Sequence, residues 1–406
     1  MQRVALQGQP LATAATPVAE VQAGQPALSP DGQRLYGAGA QVFAWDAHTL
    51  KLQWATPPVP PARSFSGFLS QHAPSPLAVS PDGLTLATAG TRSGEVDVRD
   101  ARSGRLQRTI PHPRPSEITA DNAWSLDATA LAYDPAGRQL AIGTLAGGIR
   151  LYDLVTGQER LLSGRCGKSA SPFLTAHHGP VNGLAWTGPA TLVSTAHDET
   201  MRRWDTSSGR EVNCLSIPGG AQGLQVLPGD RLLALGATSA TLVDAGKFRR
   251  LALLGPFASR LRDLRVLGTT IRLSDGLSDR GWTTGSGRAT DVRGRPLATL
   301  NQQGVGVQVG PDMRVTVVQN GRARTLTPLA VPPSNFDGSG FPSGWTMELS
   351  GGVLTVAAKS SVQTGVVEMT DIQNVFQWNL ETGRLERCDT TLTSFERDRA
   401  CPGKKW

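Results

Sequence analysis

The sequence predicts an all-β chain of seven or eight four-stranded antiparallel units, and three observations carry that expectation. A turn phrase recurs: "LSPDGQRLY" at 28–36, "VSPDGLTLA" at 79–87, "YDPAGRQLA" at 133–141 and "LPGDRLLAL" at 227–235. A strand-like phrase then closes on an aromatic or apolar residue and an aspartate. It reads "VFAWDAHTLK" at 42–51, "VDVRDARSGR" at 96–105, "IRLYDLVTGQ" at 149–158, "MRRWDTSSGR" at 201–210 and "ATLVDAGKFR" at 240–249, and returns as "VFQWNLETGR" at 375–384. The anchors Asp46, Asp100, Asp153, Asp205 and Asp244 are spaced 54, 53, 52 and 39 residues apart. A strand-rich repeat of about 40–50 residues is the signature of a β-propeller.

Each part of the unit has a physical reason. In "SPDG", proline presets φ at the first turn position and glycine supplies the left-handed residue that closes the hairpin. The flanking runs alternate apolar with small or polar residues, as strands against a neighbouring blade do. In "D-x-x-[ST]-G", the aspartate accepts from turn amides while glycine takes a positive φ. The unit is therefore strand a, tight turn, strand b, strand c, tight turn, strand d. Units are expected at about 26–56, 75–112, 128–163, 181–217, 222–256, 261–300, 303–329 and 345–388. The sixth and seventh are degenerate, so the count is eight, or seven if they merge. Residues 1–20 are expected to add a ring-closing strand, 21–390 to form a single propeller domain, and 391–406 to be a C-terminal tail.

Length and composition agree. A chain of 406 residues exceeds one ordinary core but suits one repeat-built domain. With 39% apolar and 18% charged residues it is globular rather than disordered. Its 46 glycines and 28 prolines point to many turns, and no helical period is sustained. No run of 18 apolar residues marks a transmembrane helix. "MQRVALQGQPLATAATP" has no apolar stretch of signal-peptide length, so a cytoplasmic location is expected, with export the alternative if the start is misassigned. Cys166, Cys214, Cys388 and Cys401 show no CxxC spacing, which assigns no zinc site. Cys388 and Cys401 bracket the tail as either a disulfide or two free thiols.

Residues 177–205, "HHGPVNGLAWTGPATLVSTAHDETMRRWD", resemble one WD repeat of the GH…WD type, with Ala176-His177 in place of Gly-His. The first three units keep only the "SPDG" and "[WYR]D" parts, and the first also resembles a quinoprotein-type propeller repeat. The resemblance implies a structural hydrogen-bond set of His177, Ser194 (or Thr195), Asp198 and Trp204, which satisfies buried polar groups and ties a turn to its blade. It also implies an interaction platform. His178 and His197 have no place in the set and are expected in solvent. No fourth ligand completes a zinc site around these histidines.

No catalytic motif is present: no G-x-S-x-G elbow, P-loop or HExxH. No quinone-docking set can be assembled, and no cofactor or metal is assigned. "GVGVQVG" at 304–310 reads as a strand with glycines at close approaches. The 40 basic residues comprise 34 arginines and six lysines. Between Arg249 and Arg324, thirteen arginines face five aspartates, so this sector carries the basic excess. It suits an acidic partner, but without interleaved aromatics a nucleic acid is not favoured.

The insertions are the sharpest functional signal. The a–b and c–d turns are mostly tight. The d–a links at 56–75, 111–127, 164–180 and 330–344 are long, as are the segments 275–287 and 359–374, read as b–c turns. In an up-and-down blade these all decorate one end. Three consecutive links carry Arg63, Phe65, Phe68, His112, Arg114, Arg165, Lys168 and Phe173, the expected contacts for a protein or peptide partner. The expected function is a non-catalytic platform. The alternatives are a propeller enzyme (hydrolase, lyase or quinone-dependent oxidoreductase) with a central-channel site, and an exported sensor or envelope-assembly propeller. Oligomeric state is not legible.

Overall fold

The computed structural model describes residues 2–4, 10–13, 26–39, 41–57, 76–89, 94–111, 126–164, 166, 176–217, 220–236, 239–255, 257, 261–276, 278–294, 298–302, 304–310, 314–326, 341–363 and 369–392. They form eight four-stranded antiparallel sheets, each with strands in the order a, b, c, d, consistent with a multi-bladed propeller. The count is eight, and the sixth and seventh units do not merge.

Blade 1 consists of Ala27–Leu28, Arg34–Ala38, Val42–Asp46 and Leu52–Ala55. Blade 2 is Leu77–Val79, Thr85–Ala89, Val96–Asp100 and Leu106–Ile110, and blade 3 is Ala128–Tyr133, Gln139–Thr144, Ile149–Asp153 and Glu159–Leu161. Blade 4 is Val181–Gly188, Thr191–Ala196, Thr200–Asp205 and Arg210–Ser216, and blade 5 is Gly223–Leu227, Arg231–Leu235, Ala240–Asp244 and Arg249–Leu254. Blade 6 is Asp263–Leu267, Thr270–Ser274, Ser278–Thr283 and Ala289–Gly294, and blade 7 is Ala298–Gln302, Val305–Val309, Val315–Gln319 and Arg322–Thr325. Blade 8 is Phe341–Ser350, Val353–Gln363, Met369–Asn379 and Leu385–Leu392.

Several expected boundaries move. Gln2–Val4 and Pro10–Thr13 pair with each other in a separate two-stranded sheet. Ala298–Gln302 opens blade 7 instead of ending blade 6, because its register runs against Val305–Val309. The segment 275–287 is not one loop, since Ser278–Thr283 within it is strand c of blade 6. Most of 359–374 is likewise strand, the two long central strands of blade 8 pairing out to Gln363 and Met369. Alternation was hidden in both places by polar residues on strands.

The turns behave as their chemistry dictates. Asp46 Oδ1 accepts from the amides of His48 and Thr49, and Asp100 and Asp153 repeat this in blades 2 and 3; in blade 4 Asp205 accepts from the Ser207 amide and the Ser208 hydroxyl. In blade 8 the neutral Asn379 does the same work through Glu381 and Thr382.

The chain packs as two compact units, residues 1–234 with 245–249, and residues 235–244 with 250–406. In the first, strands a of successive blades lie side by side from Ala27–Leu28 to Gly223–Leu227. Apolar clusters fill the spaces between blades. Tyr36, Ala44 and Leu86 join blades 1 and 2; Val98, Tyr133 and Ile142 join blades 2 and 3; Leu151, Val181 and Trp204 join blades 3 and 4. In the second unit, Val307, Val317, Leu354 and Phe376 join blades 7 and 8.

Arginine supplies a second kind of joint in the first unit. Arg108 of blade 2 donates to Leu154 O in the c–d turn of blade 3, at 2.6 Å. Arg160 of blade 3 donates to Thr206 O and Ser207 O of blade 4. Arg203 of blade 4 donates to Ala245 O and Gly246 O and lies 5.1 Å from the centre of the Phe248 ring. A guanidinium suits this work because its planar fork presents several donors at once. Part of the arginine content is therefore structural.

Candidate functional site

A polar constellation sits at the b–c and d–a end of blade 4. His177 is delivered by the link from blade 3, Ser194 by strand b, Asp198 by the b–c turn and Trp204 by strand c. The link is positioned by a backbone bond from His177 N to Gly147 O, at 2.9 Å. Gly147 has φ +92°, and a Cβ there would lie 2.3 Å from His177 O, so only glycine permits this approach.

His177, Ser194, Asp198 and Trp204 form one hydrogen-bonded set. His177 Nδ1 is 2.9 Å from Asp198 Oδ2 and Nε2 is 2.7 Å from Ser194 Oγ. Trp204 Nε1 donates to the same Ser194 Oγ at 2.8 Å. Every group is satisfied if the neutral imidazole donates from Nδ1 and accepts at Nε2. Thr195, the alternative to Ser194, is also buried, but its Oγ1 has no partner among the described residues.

Burial pushes the His177 imidazole below its ordinary value, against the opposing pull of Asp198. For Asp198, burial pushes upward but is outweighed by hydrogen bonds from His177, Thr200 and the His178 amide, which hold the carboxyl well below its usual range. The order Asp–His–Ser is that of a hydrolase triad. Here, however, His177 and Ser194 are 0% exposed, and Ser194 Oγ is clasped between imidazole and indole, with no surface for a carbonyl substrate.

His178 and His197 depart from the expectation of solvent exposure. Both are half-buried. The His178 amide donates to Asp198 Oδ2 and the His197 amide to Pro180 O, so the turn and link that hold them fold back onto the blade.

A second layer, built on buried arginines, was not expected from the sequence. Arg202 is 2% exposed and joins four groups. Its Nη2 donates to Asp198 Oδ2 and to Cys166 O, Nη1 to Glu211 Oε2, and Nε to Thr200 Oγ1, at 2.7 to 3.1 Å. Blade 3 repeats the motif. Arg150 pairs with Glu159 at 3.0 Å and donates to Pro111 O and Gly94 O. Burial lowers the Arg150 guanidinium below its ordinary value and raises Glu159, each opposed by the other. The signal is visible in retrospect. Both arginines stand two residues before the strand-c aromatic, with a glutamate nine residues on. At that position blades 1 and 8 carry Phe43 and Phe376, stacked on Trp45 and Trp378.

Arg202 and Arg150 grip the roots of two long links, at Cys166 and Pro111. A disulfide joins Cys166 to Cys214 on strand d of blade 4, with Cα atoms 6.0 Å apart. The cysteines singled out from sequence were Cys388 and Cys401. Cys388 lies on strand d of blade 8, and Cys401 lies outside the described residues. Sulfur atoms of Cys166 and Cys214 and a Glu211 carboxylate oxygen lie within 4.8 Å of one another, a possible metal-ligand set among the described residues. The expected contact residues Arg63, Phe65, Phe68, His112, Arg114, Arg165, Lys168 and Phe173 all lie outside the described residues.

The basic sector is partly neutralised from within. Arg265 pairs with Asp263, Arg272 with Asp279 and Asp291, and Arg293 with Asp291. Arg280 is buried, its guanidinium 4.4 Å from the centre of the Phe257 ring. Arg249, Arg250, Arg288 and Arg322 remain exposed.

No protein-family model matches the chain. Among solved structures it is similar to a chain of a mitotic checkpoint complex, with 16% identity over 74% of this chain and 85% of that one and a TM-score of 0.50. It is also similar to the β-propeller domain of Cps50 (Swd1) from Myceliophteria thermophila, with 13% identity over 74% of this chain and 97% of that one and a TM-score of 0.50. These likenesses define the class as a propeller-type fold. Among the described residues no helix is long and apolar enough to cross a membrane.

Proposed function

We propose that the chain is a WD-repeat-type propeller acting as a non-catalytic platform, which binds a protein or peptide through its d–a links. One observation carries this reading. Arg150 and Arg202, both buried, spend their guanidiniums on backbone carbonyls at the roots of two successive long links. Burying an arginine is costly unless it is paired, and here the pairing holds loop bases in place. A rigid scaffold presenting loops is the usual basis of recognition. The assembly named for one similar structure, a mitotic checkpoint complex, supports the same role.

Partner contact would come from Phe65, Phe68 and Phe173 as aromatic anchors. Arg63, His112, Arg114, Arg165 and Lys168 of the same links would pair with carboxylates. The test is affinity capture with the full chain, comparing the parent with an Arg63→Ala, Phe65→Ala, Phe173→Ala variant. A second variant, Arg102→Ala with Val155→Ala, alters c–d turns at the opposite end. Loss of partners in the first variant alone supports the reading, and equal recovery in both overturns it.

A further inference from the structure

We propose that Cys166, Cys214 and Glu211 form a redox-gated site for a thiophilic divalent ion of the zinc class, closed by the disulfide and opened by its reduction. This is independent of the platform reading. Three observations carry it.

The two cysteines are held together by more than their sulfurs. Ser163 N donates to Gly209 O at 3.0 Å and Glu211 N donates to Ser163 O at 3.2 Å, laying the link along the outer strand of blade 4. Arg202 Nη2 holds Cys166 O at 2.7 Å, and Cys166 N donates to Glu211 Oε2. The backbones therefore stay in register when the S–S bond opens. The sulfurs need only separate from about 2 Å to about 3.8 Å, a side-chain rotation, to sit at two corners of a tetrahedron with metal–sulfur bonds of about 2.3 Å.

The carboxylate has a free end. Glu211 Oε2 accepts from Arg202 and from Cys166, while Oε1 accepts no hydrogen bond among the described residues. Gly164 makes room for this carboxylate, since a Cβ there would lie 2.2 Å from Oε2. Glu211 can thus keep its ion pair through one oxygen and ligate through the other.

Charge and access agree. Once reduced and ionised, the pair adds two thiolates close to Glu211 and Asp198, the carboxylates that Arg202 pairs with, and a divalent ion offsets the added negative charge. Cys166, Cys214 and Glu211 are all half-buried, so an ion can enter from solvent and keep water as its fourth ligand. The redox step balances with a phosphine reductant. Phosphine, disulfide and water give phosphine oxide and two thiols, and metal binding then expels two protons.

The experiment uses the full chain carrying Cys388→Ser and Cys401→Ser, so that only this pair remains. It is reduced with a phosphine, desalted without oxygen and titrated with Co²⁺, then with Zn²⁺. One equivalent of Co²⁺ should produce sulfur-to-cobalt charge-transfer absorption, which Zn²⁺ removes. The oxidised protein should show none, which provides a control in the folded state described here. Glu211→Gln should weaken Co²⁺ at least tenfold while keeping the band, and Cys166→Ser should lose the two-thiolate spectrum. A reduced protein with no such band at one equivalent overturns the proposal, as does Cys166→Ser binding as tightly as its parent.

Discussion

Ser194 Oγ stands 2.7 Å from His177 Nε2 and 2.8 Å from Trp204 Nε1, one hydroxyl serving two rings that are 0% exposed. Ser194→Ala leaves both nitrogens unsatisfied. At about 1–3 kcal/mol for each buried orphan group, the expected loss is about 3 kcal/mol, read as a lower denaturant midpoint at unchanged slope.

Blade 8 offers the converse. Trp378 is buried and its Nε1 has no partner among the described residues, because Val356 occupies the place that Ser194 holds in blade 4. Burying an unpaired hydroxyl costs about 1–3 kcal/mol, so Val317→Thr should destabilise by that amount. Val356→Thr puts its hydroxyl beside an orphan donor and should come closer to neutral. Equal losses in the two variants would show that the indole does not use the new acceptor.

Arg150 and Glu159 form the simpler of the two buried pairs. Removing one partner of a buried ion pair costs about 3–5 kcal/mol, whereas replacing both with apolar residues is often close to neutral. Glu159 is the more exposed member, its side chain 18% accessible, so the lower end of that range is expected for Arg150→Met. The double variant Arg150→Met, Glu159→Leu should recover most of it in thermal or urea unfolding.

Gly147 and Gly32 separate close approach from backbone conformation. Both have positive φ, +92° and +71°, but a Cβ at Gly32 meets nothing within 4 Å. Gly32→Ala should cost about 1–2 kcal/mol, the left-handed penalty alone. Gly147→Ala must also displace His177 O and should cost distinctly more. Loss of hydrogen-exchange protection at His177 and Ser194 in that variant only is the measurement that checks it.

Acid should weaken blade 4. His177 is held below its ordinary value of 6.5 by burial, with Asp198, Arg202 and Glu211 as the charges that face it. The unfolded chain then binds a proton more readily than the folded one. The stabilisation is fully present above pH 6.5 and is lost as pH falls towards the lowered folded value. Asp198 adds a second loss below its ordinary 3.8. His177→Gln should flatten the first window, and midpoints measured between pH 8 and pH 5 test this.

Much of the fold and part of the site were legible because they are local. A "SPDG" turn or an aspartate accepting from amides two and three residues on needs no distant neighbour, so turn, strand and period could be read together. His177, Ser194, Asp198 and Trp204 share one blade within 28 residues, and the resemblance of that stretch to a WD repeat implied the set. Blades 6 and 7 were harder. Their polar strands, such as "SDRGWT", carry little alternation, and only hydrogen-bond register separates strand from turn.

Sequence alone determines the repeat and the turn chemistry, since each depends on residues close along the chain; the WD-repeat resemblance implied the polar set, and packing chose Ser194 over Thr195. Three-dimensional packing decided what became of the arginines and the cysteines. Arg150 and Arg202 look like any other strand arginine until the carbonyls of Pro111, Gly94 and Cys166 meet them and they are buried. Cys166 and Cys214, 48 residues apart, meet only because the link from blade 3 runs along the outer strand of blade 4. Desolvation and long-range contact are properties of the packed chain, and no local pattern encodes them.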